Sequence, residues 1–213
     1  MMDPRPTRAF RQLTATLLLG TCLSPCPLWA ADFTVTNNAD SGAGSLRQAI
    51  INSNSAGGSN NIIINSGVGT ITLTSADLPT IANNATIVGN GNTLSGGNTF
   101  RGLFIGGFSG TTQTAVSVSV SDLTIANATA KGGNGGGRSG GGAGLGGAIF
   151  VANQATLTVS NVTLSSNSAT GGTGATNAVS LGGGGGMGGN GGSTVGGGGG
   201  LGVGATGGNN VTS

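Results

Sequence analysis

The sequence is poor in the side chains that serve acid–base chemistry and stacking on sugar rings. It has no histidine, tyrosine or glutamate, and its single tryptophan is Trp29. Cysteine occurs only at Cys22 and Cys26, so the residues that would remain after removal of an N-terminal signal peptide contain none. We therefore expect the mature protein to fold without disulfides, although an exported protein could form them.

Charge is also scarce, since charged residues make up 6% of the sequence. After residue 30 the formal charges cancel, and the overall net charge of +2 comes from the residues before it. The acidic residues of that part are Asp32, Asp40, Asp77 and Asp122, and the basic ones are Arg47, Arg101, Lys131 and Arg138. A chain this neutral has no electrostatic surface for nucleic acid or for an anionic membrane, and we expect neither partner.

The N-terminal residues have the order of a secretory signal peptide. Three arginines precede a short apolar run, and small residues follow it before the chain turns polar. The run is shorter than the ~20 apolar residues of a membrane span. We predict that residues 1–30 are a signal peptide cleaved near Ala30 or Ala31. The alternative is a lipoprotein acylated at Cys22, for which Thr21 is a poor neighbour because a smaller residue is expected there.

Residues 33–94 predict short strands and one helix. Four β-branched runs, FTVTN, NIIIN, TITLT and ATIVG, alternate with Asn, Gly, Ser and Asp. The exception is SGAGSLRQAIINSN, in which Ser45 can cap a helix and Leu46, Ala49 and Ile50 share one face. A short helix of this kind would cover the open end of an all-β structure.

An internal repeat indicates how these strands are organised. Residues 118–133 align with residues 157–172 without a gap, at an offset of 39 residues. The apolar positions that coincide are Val118 with Leu157, Val120 with Val159, Leu123 with Val162 and Ile125 with Leu164. Apolar residues at every second position are typical of a strand with one face inward. In the middle of each copy the next apolar residue comes one position later, which allows the chain to bend at Asp122 and Asn161. Repetition of strand, bend and strand predicts a solenoid with parallel stacked coils.

Glycine is abundant, with 47 residues, and most of them lie in two tracts at about 132–147 and 171–208. A solenoid tolerates long excursions between strands, because doubling the length of a flexible loop costs only ~0.6 kcal/mol of closure entropy. We expect both tracts to project as loops between coils. The alternative, flexible linkers between separate domains, would require domains much longer than these repeat units.

Two stretches resemble known families. VTNNADSGAGSLRQAI, residues 35–50, resembles the N-terminal signature of secreted bacterial right-handed parallel β-helix proteins, with Gln48 where that signature has Glu. GGAIF, residues 146–150, followed by LSSNSA, residues 164–169, resembles the repeats of the polymorphic outer membrane proteins. These are autotransporter adhesins whose repeats pair G-G-A-I with F-x-x-N, and here Leu164 replaces the Phe.

The resemblance implies a fold and a role. The fold is all-β, a right-handed parallel β-helix over residues 31–213 with long glycine-rich loops and a short N-terminal capping helix. In such proteins the β-helix is an exported passenger, adhesive or structural, that a C-terminal membrane barrel displays at the cell surface. Nothing after Gly172 has the strand pattern of such a barrel, so we interpret the chain as a truncated passenger, secreted or held at a Gram-negative outer membrane. The expected partners are host-cell or matrix surfaces or glycans, and no binding residue is assigned.

Three glycines have the G-x-G-x-x-G spacing of a dinucleotide-binding turn, namely Gly142, Gly144 and Gly147. That turn needs a strand before the first glycine and a helix near the third. Here more glycine precedes the motif and AIFVA follows it, so we predict a strand at residues 148–152 and no nucleotide site. The tracts also lack the aspartates of calcium-binding repeats, and we expect no metal or other cofactor.

Two alternatives to adhesion stay open. One is a polysaccharide lyase or glycosidase, because stacked coils could bring together Asp77 and Asp122, and hydrolases need two carboxyl groups ~5–9.5 Å apart. We nevertheless expect no enzyme and assign each aspartate to a turn or cap.

The other alternative is binding to ice or another crystal surface through threonine rows on flat strands. The rows are Thr70, Thr72 and Thr74 in one stretch, and Thr156 and Thr158 in another.

Overall fold

The computed structural model describes residues 30–109, 112–176, 182–192, 197–200 and 206–207. Within these residues the chain is mostly strand and contains one helix, which confirms the predicted strand-rich class. The signal peptide predicted at residues 1–30, apart from Ala30, lies outside the described residues, as does Cys22. Parts of the second glycine tract and the last six residues lie outside them as well.

Short elements follow one another along the described chain. The helix, α1, spans Leu46–Ala56. The strands are β1 Asp32–Val35, β2 Ser59–Ile64, β3 Thr70–Thr72, β4 Asn84–Val88, β5 Thr93–Ser95, β6 Leu103–Ile105, β7 Gly107–Ser109, β8 Thr112–Thr114, β9 Val116–Ser121, β10 Thr124–Ala126, β11 Thr129–Lys131, β12 Ile149–Val151, β13 Ala155–Ser160, β14 Thr163–Ser165 and β15 Ser168–Thr170.

Parallel sheets are built from strands that are distant in sequence. The largest has the order β1-β2-β4-β9-β13, the second has the order β14-β10-β5-β3, and two further pairs are β11-β15 and β12-β6. The chain therefore returns to the same sheets in turn, and we call each return a pass. The five passes begin with the strands of the largest sheet, so β1, β2, β4, β9 and β13 begin passes one to five. Among the described strands one pair, β7 with β8, is antiparallel, and sequence patterns did not predict this hairpin.

The repeat alignment matches the strand register of passes four and five. Val118 pairs with Leu157 between β9 and β13, and Ile125 pairs with Leu164 between β10 and β14. The bend predicted between the two strands is present, because the residue after β9 and the residue after β13 both adopt positive φ angles. Few residues other than glycine tolerate that conformation, and Asn and Asp are among those that do.

Aliphatic side chains from successive passes stack into columns inside the sheets. One column consists of Ile71, Leu94 and Ile125, which are at most 1% exposed, followed by Leu164, which is 56% exposed. Val159 is likewise 53% exposed, although its partner Val120 is 1% exposed. Pass five therefore carries core-type residues that no further strand covers within the described chain.

Helix α1 forms as its sequence predicts. The Ser45 side chain accepts a hydrogen bond from the backbone N–H of Gln48 at 3.2 Å, which caps the first turn. Leu46, Ala49 and Ile50 are buried in the same core as the strands, and the helix contacts β1 and β2. The apolar face of α1 thus covers the first two passes.

The glycine tracts differ from the projecting loops that we expected. The N–H of Gly133 donates to the Gly186 carbonyl at 2.8 Å, and the N–H of Gly142 donates to the Gly133 carbonyl at 2.7 Å. A Cβ atom added to Gly142 would overlap the Gly186 carbonyl oxygen, and one added to Gly133 would overlap that of Gly189. The described parts of both tracts are therefore packed backbone against backbone, at a separation that only glycine allows, as at the crowded axis of collagen.

Candidate functional site

The outer surface of the largest sheet carries uncharged polar side chains in rows. Along β2, β4, β9 and β13, core residues alternate with outward residues, as a half-buried strand requires. Further along β2 and β4 the outward positions are the half-buried Ile63 and Val88. We call the polar outward set near the start of the strands the polar face, and it consists of Ser59, Asn61, Asn84, Thr86, Ser117, Ser119, Thr156 and Thr158. The rows cross the strands because Thr86 pairs with Ser119 and Ser119 with Thr158.

Most hydroxyls of the polar face have no partner within the described chain. The amides of Asn61 and Asn84 are occupied, since Asn61 donates to Asp32 at 2.7 Å and Asn84 accepts from the Ser117 N–H at 2.8 Å. By contrast, no described residue makes a hydrogen bond with the hydroxyl groups of Thr86 or Ser119. An open cavity of about 230 Å³ lies over this part of the sheet. A hydroxyl both donates and accepts, so the face can bind ligands rich in hydroxyl groups.

The second sheet carries a ladder of threonines. Thr70, Thr93, Thr124 and Thr163 occupy one register position on four neighbouring strands, at the ~4.8 Å spacing of a sheet. Thr70 and Thr163 are exposed, and the two between them are half-buried. The two rows that the sequence singled out for crystal binding therefore lie on different sheets, because Thr156 and Thr158 belong to the polar face.

Asparagine side chains hold neighbouring passes together. Asn167, which occupies the Asn position of the repeat resemblance, donates to the Ile125 carbonyl at 2.8 Å and accepts from the Ala128 N–H at 2.9 Å. Asn92 does the same two passes earlier, donating to the Asn65 carbonyl at 2.9 Å and accepting from the Gly69 N–H at 2.7 Å. The hydrogen bonds of Asn167 thus give the motif a structural role.

The most connected charged group lies where the start of α1 meets the segment after β3. Arg47 forms an ion pair with Asp40 at 2.6 Å and donates to the Ala76 and Asp77 carbonyls at 2.8 and 2.6 Å. Burial raises the pKa of Asp40, but hydrogen bonds from Ser75 and Arg47 and the charge of Arg47 outweigh burial, so the pKa lies below its usual value. These contacts tie the loop before α1 to pass two.

The aspartates of the enzyme alternative make separate contacts. The Asp77 carboxylate accepts from the Arg101 N–H at 2.8 Å, and the Asp122 carboxylate accepts from the Asn161 side chain at 2.6 Å. No hydrogen bond joins the two aspartates. Among the described residues there is no group of three or more His, Cys, Asp or Glu side chains that could hold a metal ion.

The glycines of the apparent dinucleotide motif lie in a packed segment that leads into a strand. Added Cβ atoms on Gly142, Gly144 and Gly147 would each overlap a backbone carbonyl, and β12 follows the third glycine. This confirms the strand predicted at residues 148–152, with bounds Ile149–Val151. The helix N-terminus that such a motif uses to hold a pyrophosphate is replaced by this strand.

Comparisons with known proteins identify no relative. No family model, no curated protein and no solved structure matches this chain. None of the helices in the described part of the chain has the length and apolar character needed to span a membrane.

Proposed function

We propose that the chain is an exported right-handed parallel β-helix that serves as an adhesive scaffold through its polar face. The parallel sheets and their crossover connections support the β-helix, because such connections are right-handed in about 98% of cases. The N-terminal signal pattern supports export, and the resemblance to autotransporter passengers supports display at a cell surface.

The observation that carries the adhesive role is the row of unpartnered hydroxyls on the polar face. Thr86, Ser119 and Thr158 stand side by side on a rigid sheet and carry no charge. Such a row suits a neutral, hydroxylated ligand such as a glycan, since each hydroxyl can replace a water–glycan hydrogen bond without desolvating a charge. The dispersed aspartates give less support to the polysaccharide-cleaving alternative.

Removal of two hydroxyls tests this proposal. The double variant Thr86→Val with Ser119→Ala keeps the strand shape and removes two hydroxyl groups, each worth ~0.5–1.5 kcal/mol in a hydrogen bond. We expect weaker retention of the purified chain on a surface coated with neutral glycans. Thr72→Val, an exposed position on the second sheet, is the matched control. Equal retention of the double variant and the parent chain would refute the role of the polar face.

A second candidate, binding to ice or another crystal surface, is supported by the threonine ladder of the second sheet. Regular spacing along the ladder is what one row of a crystal lattice can match, and Thr70 and Thr163 leave both ends of the ladder accessible. Thermal hysteresis of the purified chain measures this activity. The candidate predicts hysteresis that Thr70→Lys and Thr163→Lys abolish, and its absence at high protein concentration would exclude ice as the ligand.

A further inference from the structure

Arg101 lies in an aromatic environment that is unusual for this chain. It is 4% exposed, and its guanidinium carbon lies 5.5 Å from the ring centre of Phe104 and 6.0 Å from that of Phe150. The two rings are 4.9 Å apart and come from paired strands, β6 and β12. Aromatic residues make up only 3% of the sequence and charged residues 6%. Two aromatic rings and a buried cation, all from scarce residue types, therefore lie together at this site.

The guanidinium of Arg101 uses few of its donors. Its Nε donates to the Leu145 and Gly146 carbonyls at 3.3 and 3.2 Å, but neither terminal nitrogen makes a hydrogen bond with any described residue. Within the described chain the one ion pair is that of Arg47 with Asp40, so the guanidinium of Arg101 forms no ion pair there, although the Asp77 carboxylate accepts from the Arg101 backbone N–H at 2.8 Å. Among the described residues, every fully buried side-chain nitrogen or oxygen has a hydrogen-bond partner. Since the terminal nitrogens of Arg101 have none, they retain some exposure to solvent.

The charge of Asp77 acts on this buried guanidinium, but no carboxylate forms an ion pair with it within the described chain, whereas a buried charge is ordinarily paired in contact. Its planar end matches the two oxygens of a carboxylate in a bidentate pair. Burial lowers the pKa of Arg101, and the charge of Asp77 offsets this only in part, so an added anion would stabilise the charged form. Apolar surface borders the site, since Phe150 is half-buried and Leu145 is 43% exposed.

We propose that the terminal nitrogens of Arg101 bind the carboxylate of a ligand whose apolar body packs on the half-buried Phe150, beside the buried Phe104. The ligand class is a small carboxylic acid with an adjoining ring or hydrocarbon chain. This site is independent of the polar face and does not rest on the adhesive role proposed above.

Side-chain NMR of the full chain tests the proposal without a variant, with benzoate as the probe. Benzoate should shift the side-chain nitrogen resonances of Arg101 and leave those of Arg47 unchanged, because the terminal nitrogens of Arg47 are already bonded. Acetate, which lacks the apolar body, should bind at least about tenfold more weakly, and benzyl alcohol, which lacks the charge, should not shift Arg101. Equal responses to benzoate and benzyl alcohol would overturn the proposal.

Calorimetric titration of variants with benzoate provides the second test. Arg101→Gln should weaken binding at least about tenfold. Arg101→Lys should weaken it less, because lysine keeps the positive charge but cannot form the bidentate pair of hydrogen bonds. Lys131→Gln removes a charge from an exposed site and should bind as the parent chain does. If Arg101→Gln fails to fold, Phe150→Leu keeps the guanidinium and should reduce the preference for benzoate over acetate. An unchanged preference in that variant, or unchanged affinity in a folded Arg101→Gln variant, would defeat the proposal.

Discussion

Asn161 donates a hydrogen bond from its side-chain amide to the carboxylate of Asp122 at 2.6 Å, across 39 residues of sequence. The two residues occupy the same corner of consecutive passes, with φ angles of 51° and 52°. The repeat therefore places side by side two residues that tolerate the left-handed conformation and that also bond to each other.

Replacement of Asp122 by alanine should destabilise the chain by about 1–2 kcal/mol, because alanine pays the full cost of positive φ and leaves the Asn161 amide without its partner. Asp122→Asn keeps the backbone preference and an acceptor oxygen, and should lose much less. Chemical denaturation of both variants measures the difference. Equal loss in the two variants would show that the corner conformation is not the cause.

Truncation of equivalent core residues should have unequal effects in passes four and five. Ile125→Ala removes a side chain that is 0% exposed and should cost about 2–5 kcal/mol. Leu164→Ala removes its partner in the column, which is 56% exposed, and should cost less than about 1 kcal/mol. The free energies of unfolding provide the comparison. A large loss for Leu164→Ala would mean that pass five is covered in solution.

Two glycines of the first tract offer a matched test of the packed backbone. Gly142→Ala places a Cβ against the Gly186 carbonyl and should cost about 1–3 kcal/mol, since neither backbone can move freely. Gly140→Ala meets no atom within 4 Å and should be neutral or stabilise by about 0.4–1 kcal/mol. Thermal unfolding and limited proteolysis of the tract report both effects. Identical behaviour of the two variants would indicate that the tracts do not pack in solution.

Acid should weaken the junction between the loop before α1 and pass two. Since the folded pKa of Asp40 lies below the unfolded value of 3.8, its contribution to stability is present above that value and is lost as the pH falls through the folded pKa. Asp40→Asn should lower stability at neutral pH and flatten its dependence on pH below about 4. Denaturation curves of the two chains across that range measure this. Parallel pH profiles would contradict the assignment.

The repeat, the bend and the capping helix were predictable because each depends on local patterns. Alternating apolar residues determine which side of a strand faces inward, and a shared offset determines which residues stack. Ser45 and the apolar face of α1 are likewise local signals. The β7–β8 hairpin was missed because its strands are short and, being rich in Gly and Thr, show no alternating apolar pattern.

Arg101 was missed for a different reason. It lies beside Phe100 in the sequence, but its contacts come from Phe104 and from Phe150 in the next pass, which the sequence separates by 46 residues. The sequence shows that charged and aromatic residues are scarce, but it does not indicate which charged side chain contacts which aromatic rings.

By itself the sequence determined the strand-rich class, the offset at which passes stack and the residues that turn the corners, because these follow from side-chain periodicity and backbone preference within a few positions. Only the tertiary structure decided that the glycine tracts pack and that a cation lies beside a pair of phenylalanines. Both depend on close approach between segments that are far apart in the chain, and glycine in particular carries no side chain whose pattern could encode its neighbours.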